Sequence, residues 1–319
     1  MRVAFDSRGA ADPRGIGRYV RCILEALRET AAEGDDIVEE HRPRGADVYH
    51  SPWIDGCALR SRIPQVVTLH DIIPLKRRSD YLRTGVRFRL RYAAVARAER
   101  IIVPTAAVAD DVKAHLGVPA ERITVISEAP VAAMYPRPEA EIAAARARYN
   151  LPDEYLVWVG GMEHPDPRKR VAALSAAPRE LPLVLVGPAS RWAKELGEQD
   201  GLTVTGHVSD DELAAIYTGA RALVFPSDDE GFGLPPVEAL ACGTPVAACE
   251  VPALREVLGD RVTFVERDDI AGLLAAGAAA QRPAPPPPPF TWADAARATW
   301  DVYRELSSDR AASSPRRTA

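Results

Sequence analysis

"ALVFPSDDEGFGLPPVEALACGTPVAA", residues 222–248, decides the fold. "ALVFPS" is a short apolar strand, and "DDEGFG" is the loop at its carboxyl end. Pro235 and Pro236 suit the first turn of a helix, where a missing N–H costs little. "VEALACG" then runs to a glycine stop, and "TPVAACE" opens the next strand. Strand, loop, helix and strand in succession imply a parallel sheet with both faces covered. Glu230 stands on the loop and Glu238 within about a turn of the helix start, so the bend can turn both towards the strand's carboxyl end. Two readings stay open for them. They complement the helix dipole and water, or they face a ligand. A hydrolytic acid–base pair would flank a scissile bond in an open sugar groove; a helix N-terminus with exposed glycine amides suits an anion better.

The same pattern extends in both directions. Towards the C-terminal half, "EYLVWVGG", "LPLVLVG" and "LTVTGHV" are further buried strands separated by helical stretches. Towards the N-terminus, "MRVAFD" is a strand, "RGAADPRGIG" a loop, and "RYVRCILEALRE" a helix with Val20, Ile23, Leu24 and Leu27 on one face. "ADVYHSP", "IPQVVTLHDIIP", "ERIIVP" and "ERITVIS" complete this half. Proline thickens between Pro130 and Pro152, as between domains. The expected layout is a first α/β domain over 1–148 and a second over 149–289. "PAPPPPPF" is a stiff spacer. A helix over 290–307 follows, with Trp292, Ala296, Trp300 and Tyr303 on one side, and a disordered tail over 308–319.

Bulk properties set limits. With 319 residues and 47% hydrophobic content, the chain has room for two cores. A net charge of -5 gives no argument for nucleic acid. No apolar run approaches the roughly 20 residues that span a bilayer, and the N-terminus lacks a signal-peptide layout; a cytoplasmic protein is expected. Cys22, Cys57, Cys242 and Cys249 form no CxxC pair and read as small buried apolar residues, with a metal or redox role as the alternative.

Three more stretches can carry chemistry. In "WVGGMEHPDPRKRV", Arg168 and Lys169 follow a strand end on what reads as an exposed turn; they can grip a pyrophosphate, Arg as a fork and Lys as a compact charge, or simply be solvated. In "RGIGRY", Gly15 and Gly17 let backbone approach a ligand at a helix start, although the full dinucleotide fingerprint is absent. In "VVTLHDIIP", His70 follows an apolar strand, the place for a binding residue or a structural histidine.

Taken in order, "GIGRY", "TLHDIIP", "ERITVIS", "YLVWVGG…PRKR", "GHVSDDELAAIYTGARALVFPS" and "EGFGLPPVEALACGTPVAA" resemble the retaining, nucleotide-sugar-dependent glycosyltransferases of family 4. The resemblance implies a GT-B fold: two Rossmann-like α/β domains facing a central cleft, with the C-terminal helix crossing back to the N-terminal, acceptor-binding domain. It implies that Glu238 binds the donor ribose and that Glu230 lies at the transferred sugar. Amides of Phe232, Gly233 and Leu234 line sugar and phosphate. Arg168 and Lys169 neutralise the diphosphate leaving group in place of a metal, so no metal and no cofactor is expected. His70 contacts the sugar, Gly15 and Gly17 approach the diphosphate, and His207-Val208 holds the base. Departures are Gly161, often Arg in relatives; "SEAP" after the "ITVI" strand, where relatives often carry Asn-Gly; and a short gap before "ADVYHSP", which implies lost strands.

The implied activity is hexosyl transfer from a GDP- or UDP-sugar to an acceptor hydroxyl, with a lean to mannose. The acceptor is a glycan, a lipid-linked sugar or a small molecule. The alternatives are a nucleotide-sugar epimerase of the same fold and a non-catalytic sugar-nucleotide-binding partner of another transferase. Residues 76–100 hold nine Lys/Arg against two Asp/Glu, a solvated helix face or a peripheral contact with the inner face of a membrane.

Overall fold

The computed structural model describes residues 1–12, 15–77 and 85–313. They form two compact units: Met1–Ala129 together with the segment from Phe290 onward, and Pro130–Pro289.

In the first unit the strands are β1 (Arg2–Phe5), β2 (Asp36–Glu39), β3 (Val48–Ser51), β4 (Gln65–Thr68), β5 (Arg100–Val103) and β6 (Ile123–Val125). The helices are α1 (Gly15–Glu29), α2 (Ile73–Lys76), α3 (Gly85–Val95) and α4 (Ala106–Leu116). The sheet order is β2-β1-β3-β4-β5-β6, parallel throughout. Every residue of β3 and β4 is buried, as a doubly covered parallel sheet requires. α4 starts where Thr105 Oγ1 accepts from Val108 N at 3.2 Å and stops at Gly117, whose φ of 63° a side chain would resist.

In the second unit the helices are α5 (Glu139–Tyr149), α6 (Val171–Ala176), α7 (Arg191–Leu196), α8 (Asp210–Gly219), α9 (Leu234–Ala241), α10 (Pro252–Leu258) and α11 (Ile270–Ala279). The strands are β7 (Leu156–Val159), β8 (Leu183–Val186), β9 (Leu202–Gly206), β10 (Ala222–Phe225), β11 (Val246–Cys249) and β12 (Thr263–Val265). They run β12-β11-β10-β7-β8-β9, again all parallel. The core joins Leu156, Trp158, Leu185, Val224 and Leu273 from sheet and helices. α8 opens with a reciprocal cap: Ser209 accepts from the Glu212 amide, and Glu212 accepts from Ser209 N at 2.9 Å.

The last helix, α12 (Trp292–Ser313), belongs to the first unit. Ala296, Trp300 and Tyr303 pack with Val20, Ile23 and Leu27 of α1. Trp300 Nε1 donates to Leu27 O at 3.1 Å. The expected return of the terminal helix to the N-terminal domain is what the chain does.

Three expectations need correction. The first unit ends at Ala129, not at residue 148. Residues 130–149 are tied to the second: Arg137 donates to Asp211 at 2.7 Å, its amide to Thr218 at 3.1 Å, and α5 packs on α8. The short gap before β3 still holds a strand, β2, pairing with β1. Its half-exposed edge position gives it little apolar signal. Finally, α12 continues to Ser313, beyond the expected end at 307; of the expected tail, residues 314–319 lie outside the described residues.

Candidate functional site

The functional residues expected in the second unit sit on loops at the carboxyl ends of its strands or, for Leu234 and Glu238, in the helix that follows such a loop, where open α/β sheets bind ligands. Because β7 and β10 are neighbours, the loops after them lie side by side. The Asp228 amide donates to Arg168 O at 3.0 Å and joins the two loops. Arg168 sits in a single 3-10 turn, Pro167–Lys169, capped by Asp166, which accepts from the Arg168 amide at 3.1 Å.

The guanidinium of Arg168 is held from several directions. Nη1 pairs with Glu230 at 2.8 Å and donates to Asp229 O at 3.2 Å, and Nε reaches Asp166 at 3.3 Å. The Arg168 side chain is only 16% exposed and that of Glu230 15%. Lys169 turns inward and donates to Gly161 O at 3.0 Å. Burial, then the neighbouring Arg168 charge, push the Lys169 ammonium below its ordinary value, against the pull of Asp166, Glu230 and Glu163. The exposed turn expected for this pair is therefore a partly buried charged cluster. Gly161 supplies a carbonyl to Lys169 where relatives were expected to carry an arginine.

Gly233 begins α9 with φ of 90°, and a Cβ there would meet Leu254 Cδ2 at 2.3 Å, so glycine is required on two counts. Pro235 and Pro236 carry no N–H, so Leu234 alone among the first three residues of α9 has an amide to offer. Phe232 and Leu234 are buried. Glu238, also in α9, is a carboxylate only 2% exposed; burying such a group demands compensation, which sets it apart from a solvated dipole partner. At the end of β9, His207 is exposed and Val208 buried.

In the first unit, His70 lies just beyond β4. Its Nδ1 faces Glu128 Oε1 at 2.9 Å, and its Nε2 faces Pro52 O at 3.0 Å. The Tyr19 ring meets it edge-on, centroids 4.5 Å apart. Burial works against a charge on His70, but the hydrogen bond and the charge of Glu128 outweigh it and raise its affinity for a proton. Gly17 has a packing reason of its own: a Cβ would meet Asp12 O at 1.8 Å. Gly15 has nothing within 4 Å.

A buried polar chain runs behind this histidine. Tyr303 of α12 meets His50 Nδ1 at 2.5 Å, His50 Nε2 meets Thr68 Oγ1 at 2.9 Å, and Thr68 Oγ1 meets Tyr19 OH at 3.1 Å. Burial pushes the His50 pKa down to about 3, so this histidine is neutral. Sequence reasoning missed Glu128, His50, Thr68 and the hydroxyl of Tyr303. For His50 and Thr68 the available signal was a polar residue at or next to the end of a buried strand.

Among the described residues, no group of three or more His, Cys, Asp or Glu is placed to hold a metal ion, and no helix is long and apolar enough to cross a membrane. The four cysteines form no disulfide; Cys242 and Cys249 are buried as expected, whereas Cys22 and Cys57 are only partly so. Residues 78–84 of the basic stretch lie outside the described residues. In the rest of it Lys76, Arg91 and Arg100 pair with Asp111, Asp55 and Glu305, which leaves less charge for an anionic surface than the sequence count suggests.

Residues 165–278 match the family described as Glycosyl transferases group 1, and residues 4–129 that described as Glycosyltransferase Family 4. A D-inositol 3-phosphate glycosyltransferase of Xylanimonas cellulosilytica is 31% identical over 322 residues, covering 86% of this chain and 76% of that protein. A serotype-specific mannosyltransferase WbdA of Escherichia coli is 34% identical over 217 residues, 61% of this chain and 26% of that protein. The chain thus spans about a quarter of the length of the WbdA proteins it matches, and 57% of a D-inositol 3-phosphate glycosyltransferase of Streptomyces bingchenggensis. Among solved structures, sucrose-phosphate synthase of Thermosynechococcus elongatus superposes with a TM-score of 0.67 at 19% identity, covering 98% of both chains. WaaG, a glycosyltransferase involved in lipopolysaccharide biosynthesis, superposes with a TM-score of 0.65 at 16% identity, covering 97% of this chain and 98% of that one. At these identities the structural likeness is one of fold.

Proposed function

This chain belongs to glycosyltransferase family 4, with its two-domain α/β GT-B fold, and we propose that it moves a hexose from a nucleotide diphosphate sugar to an acceptor hydroxyl, with retention of the anomeric configuration and without a metal ion. The observation that carries the reading is the cluster of Arg168, Lys169 and Glu230, assembled from two neighbouring strand-end loops. A departing diphosphate gains negative charge as the glycosidic bond breaks. Preorganised cations beside it favour that state over the ground state. Lys169, partly desolvated and donating to the Gly161 carbonyl, gains most when a phosphate oxygen replaces it. Arg168 presents a fork that diphosphate oxygens match as well as carboxylates do. Donor entry then exchanges one anionic partner for another.

The remaining roles follow the family. Glu238 takes the ribose hydroxyls, and the Leu234, Gly233 and Phe232 amides line the sugar and phosphate. The backbone at His207-Val208 holds the base, and Gly15 lets backbone come near the diphosphate. Glu230 and His70 serve the transferred sugar. No side chain of the cluster is a free nucleophile, so front-face attack assisted by the leaving phosphate is the proposed route. The mannosyltransferase relatives support a GDP-mannose donor, and a fold relative solved with UDP supports a UDP-sugar.

A thermal-shift screen of GDP-mannose and UDP-glucose decides the donor, since ligand at 100 times its Kd adds roughly 2.7 kcal/mol. Transfer or slow hydrolysis of the stabilising donor, unaffected by EDTA and with the anomeric proton coupling unchanged, is the expected outcome. Formation of an epimeric sugar without acceptor would instead indicate an epimerase. Binding with neither transfer nor hydrolysis would indicate a non-catalytic partner, and activity lost on chelation and restored by Mn²⁺ would overturn the role of the basic pair.

A further inference from the structure

His70 has no uncommitted ring nitrogen. Pro52 O, 3.0 Å from Nε2, can only accept, so Nε2 carries a hydrogen. Glu128 Oε1, 2.9 Å from Nδ1, accepts equally when the carboxylate is ionised, so the arrangement is complete when Nδ1 carries a hydrogen as well. The geometry is also closed around the ring. Pro52 follows β3, Glu128 follows β6, and Tyr19 of α1 packs edge-on at 4.5 Å. Three separate elements thus fix one imidazole. Glu128 itself is 5% exposed, and a buried carboxylate is costly unless paired. It stands in the "SEAP" segment, where the chain departs from the Asn-Gly of the family pattern.

We propose that Glu128 is a positioning residue that holds His70 as a doubly protonated cation in a fixed ring plane, so that His70 acts on the donor electrostatically and not as a proton acceptor. This deepens the transferase reading and rests on it. The pair is the source of the charge. Glu128 and Asp71 favour the imidazolium, and burial opposes it. The other titratable groups facing this ring among the described residues are uncharged: His50 is neutral because it is buried, and burial raises the Tyr19 hydroxyl far above its ordinary range. Tyr303, one layer deeper behind His50, is raised likewise.

The assignment makes a directional claim. A histidine serving as a base gains activity as pH rises through its midpoint. A histidine serving as a cation loses activity there. Removing the Glu128 charge while keeping its shape, Glu128→Gln, should move that loss to lower pH.

The test pairs a donor-free measurement with an activity profile. In the full chain, long-range ¹⁵N spectra of the His70 imidazole at neutral pH should show both ring nitrogens protonated. A pH titration of its ring C–H signals, assigned with His70→Gln, should give a midpoint above the ordinary 6.5, shifted down in Glu128→Gln. The alkaline fall of kcat should shift down with it, and KM for the donor should change less than kcat. A neutral single-proton tautomer in the wild type overturns the proposal, even if Glu128→Gln does not fold. So does the same midpoint in both proteins, or a kcat that rises through the His70 midpoint. Lack of transfer and hydrolysis with every donor would sink the transferase reading alone, because the ring spectra judge the pair without substrate.

Discussion

Each unit holds a carboxylate beside a basic side chain at the carboxyl edge of its sheet: His70 with Glu128 at 2.9 Å in the first, Arg168 with Glu230 at 2.8 Å in the second. Burial of the four side chains is similar, between 6% and 17% exposed. The chemistry is not. A guanidinium keeps its proton under all conditions a folded protein meets, whereas an imidazole loses its own within the physiological range. Charge in the second unit can be redirected only by a competing anion. In the first it can be removed by pH. A charge that pH cannot remove suits the diphosphate role proposed for Arg168. An imidazole makes the first unit's pair the one whose charge depends on pH.

The largest effect should come from the charge cluster of the second unit. Lys169→Ala should lower kcat by about 10²–10³, or about 2.7–4 kcal/mol, with a smaller change in donor binding. Steady-state kinetics read this directly, and turnover within a few-fold of wild type would leave the cluster without a catalytic role. Lys169→Arg should recover only part of the loss, because a planar fork does not fit a point-charge position.

Next is Glu238, whose carboxylate the reading gives to two ribose hydroxyls. Glu238→Gln should weaken donor binding by roughly 1.5–3 kcal/mol, the worth of hydrogen bonds to a charged group. Calorimetry with a 2′-deoxy donor sharpens this: the deoxy donor should lose less against the mutant than against the wild type, and equal losses would place Glu238 away from the ribose.

A smaller effect, on stability alone, should follow from the buried chain of the first unit. Tyr303→Phe removes the partner of His50 Nδ1 and leaves a polar atom unsatisfied inside the protein. The cost should be about 1–3 kcal/mol in denaturant melts, confined to the unfolding of the first unit. An unchanged midpoint would mean that His50 finds another partner.

The smallest effect contrasts the two ion pairs themselves. Because Glu128 raises the proton affinity of His70 in the fold, the stabilisation is fully present below the unfolded value of 6.5 and fades as pH rises through the folded one. Hydrogen exchange resolved by unit should therefore show the β4 and β6 ends loosening as pH rises beyond 6.5, while the loops after β7 and β10 stay constant. Parallel behaviour in both units would erase the distinction.

Much of this was legible in the sequence, and what was not has identifiable causes. Strands such as "LVWV", "LVLV" and "ALVF" announce themselves because a doubly covered sheet buries every residue. The edge strands β2, "DIVE", and β12, "TFV", do not, because partial exposure dilutes the apolar run. Arg168, Lys169, Glu230 and Glu238 could be named from their spacing after strands. Their burial could not, since it depends on β7 and β10 being neighbours although more than sixty residues lie between Val159 and Ala222. Glu128 was visible only as a departure from a pattern. Its partnership with His70 requires knowing that β5 alone separates β4 from β6 in the sheet. His50 and Thr68 were absorbed into strands, because a polar residue near a strand end carries no mark of its partner on a helix, Tyr303 at 253 residues from His50 and Tyr19 at 49 from Thr68.

The division of the first unit around the second has a consequence for how the protein is made. Residues 1–129 are synthesised before the second unit, yet the helix that covers Val20, Ile23 and Leu27 of α1 and completes the hydrogen bonding of His50 is synthesised only after it. At ~5–20 residues per second, producing the intervening Pro130–Pro289 takes roughly 8–32 s. The second unit is continuous in sequence and can close as soon as it emerges. During that interval the first unit carries an uncovered apolar face on α1, the kind of surface that chaperones hold, so the nascent chain should depend on them more before α12 emerges than after.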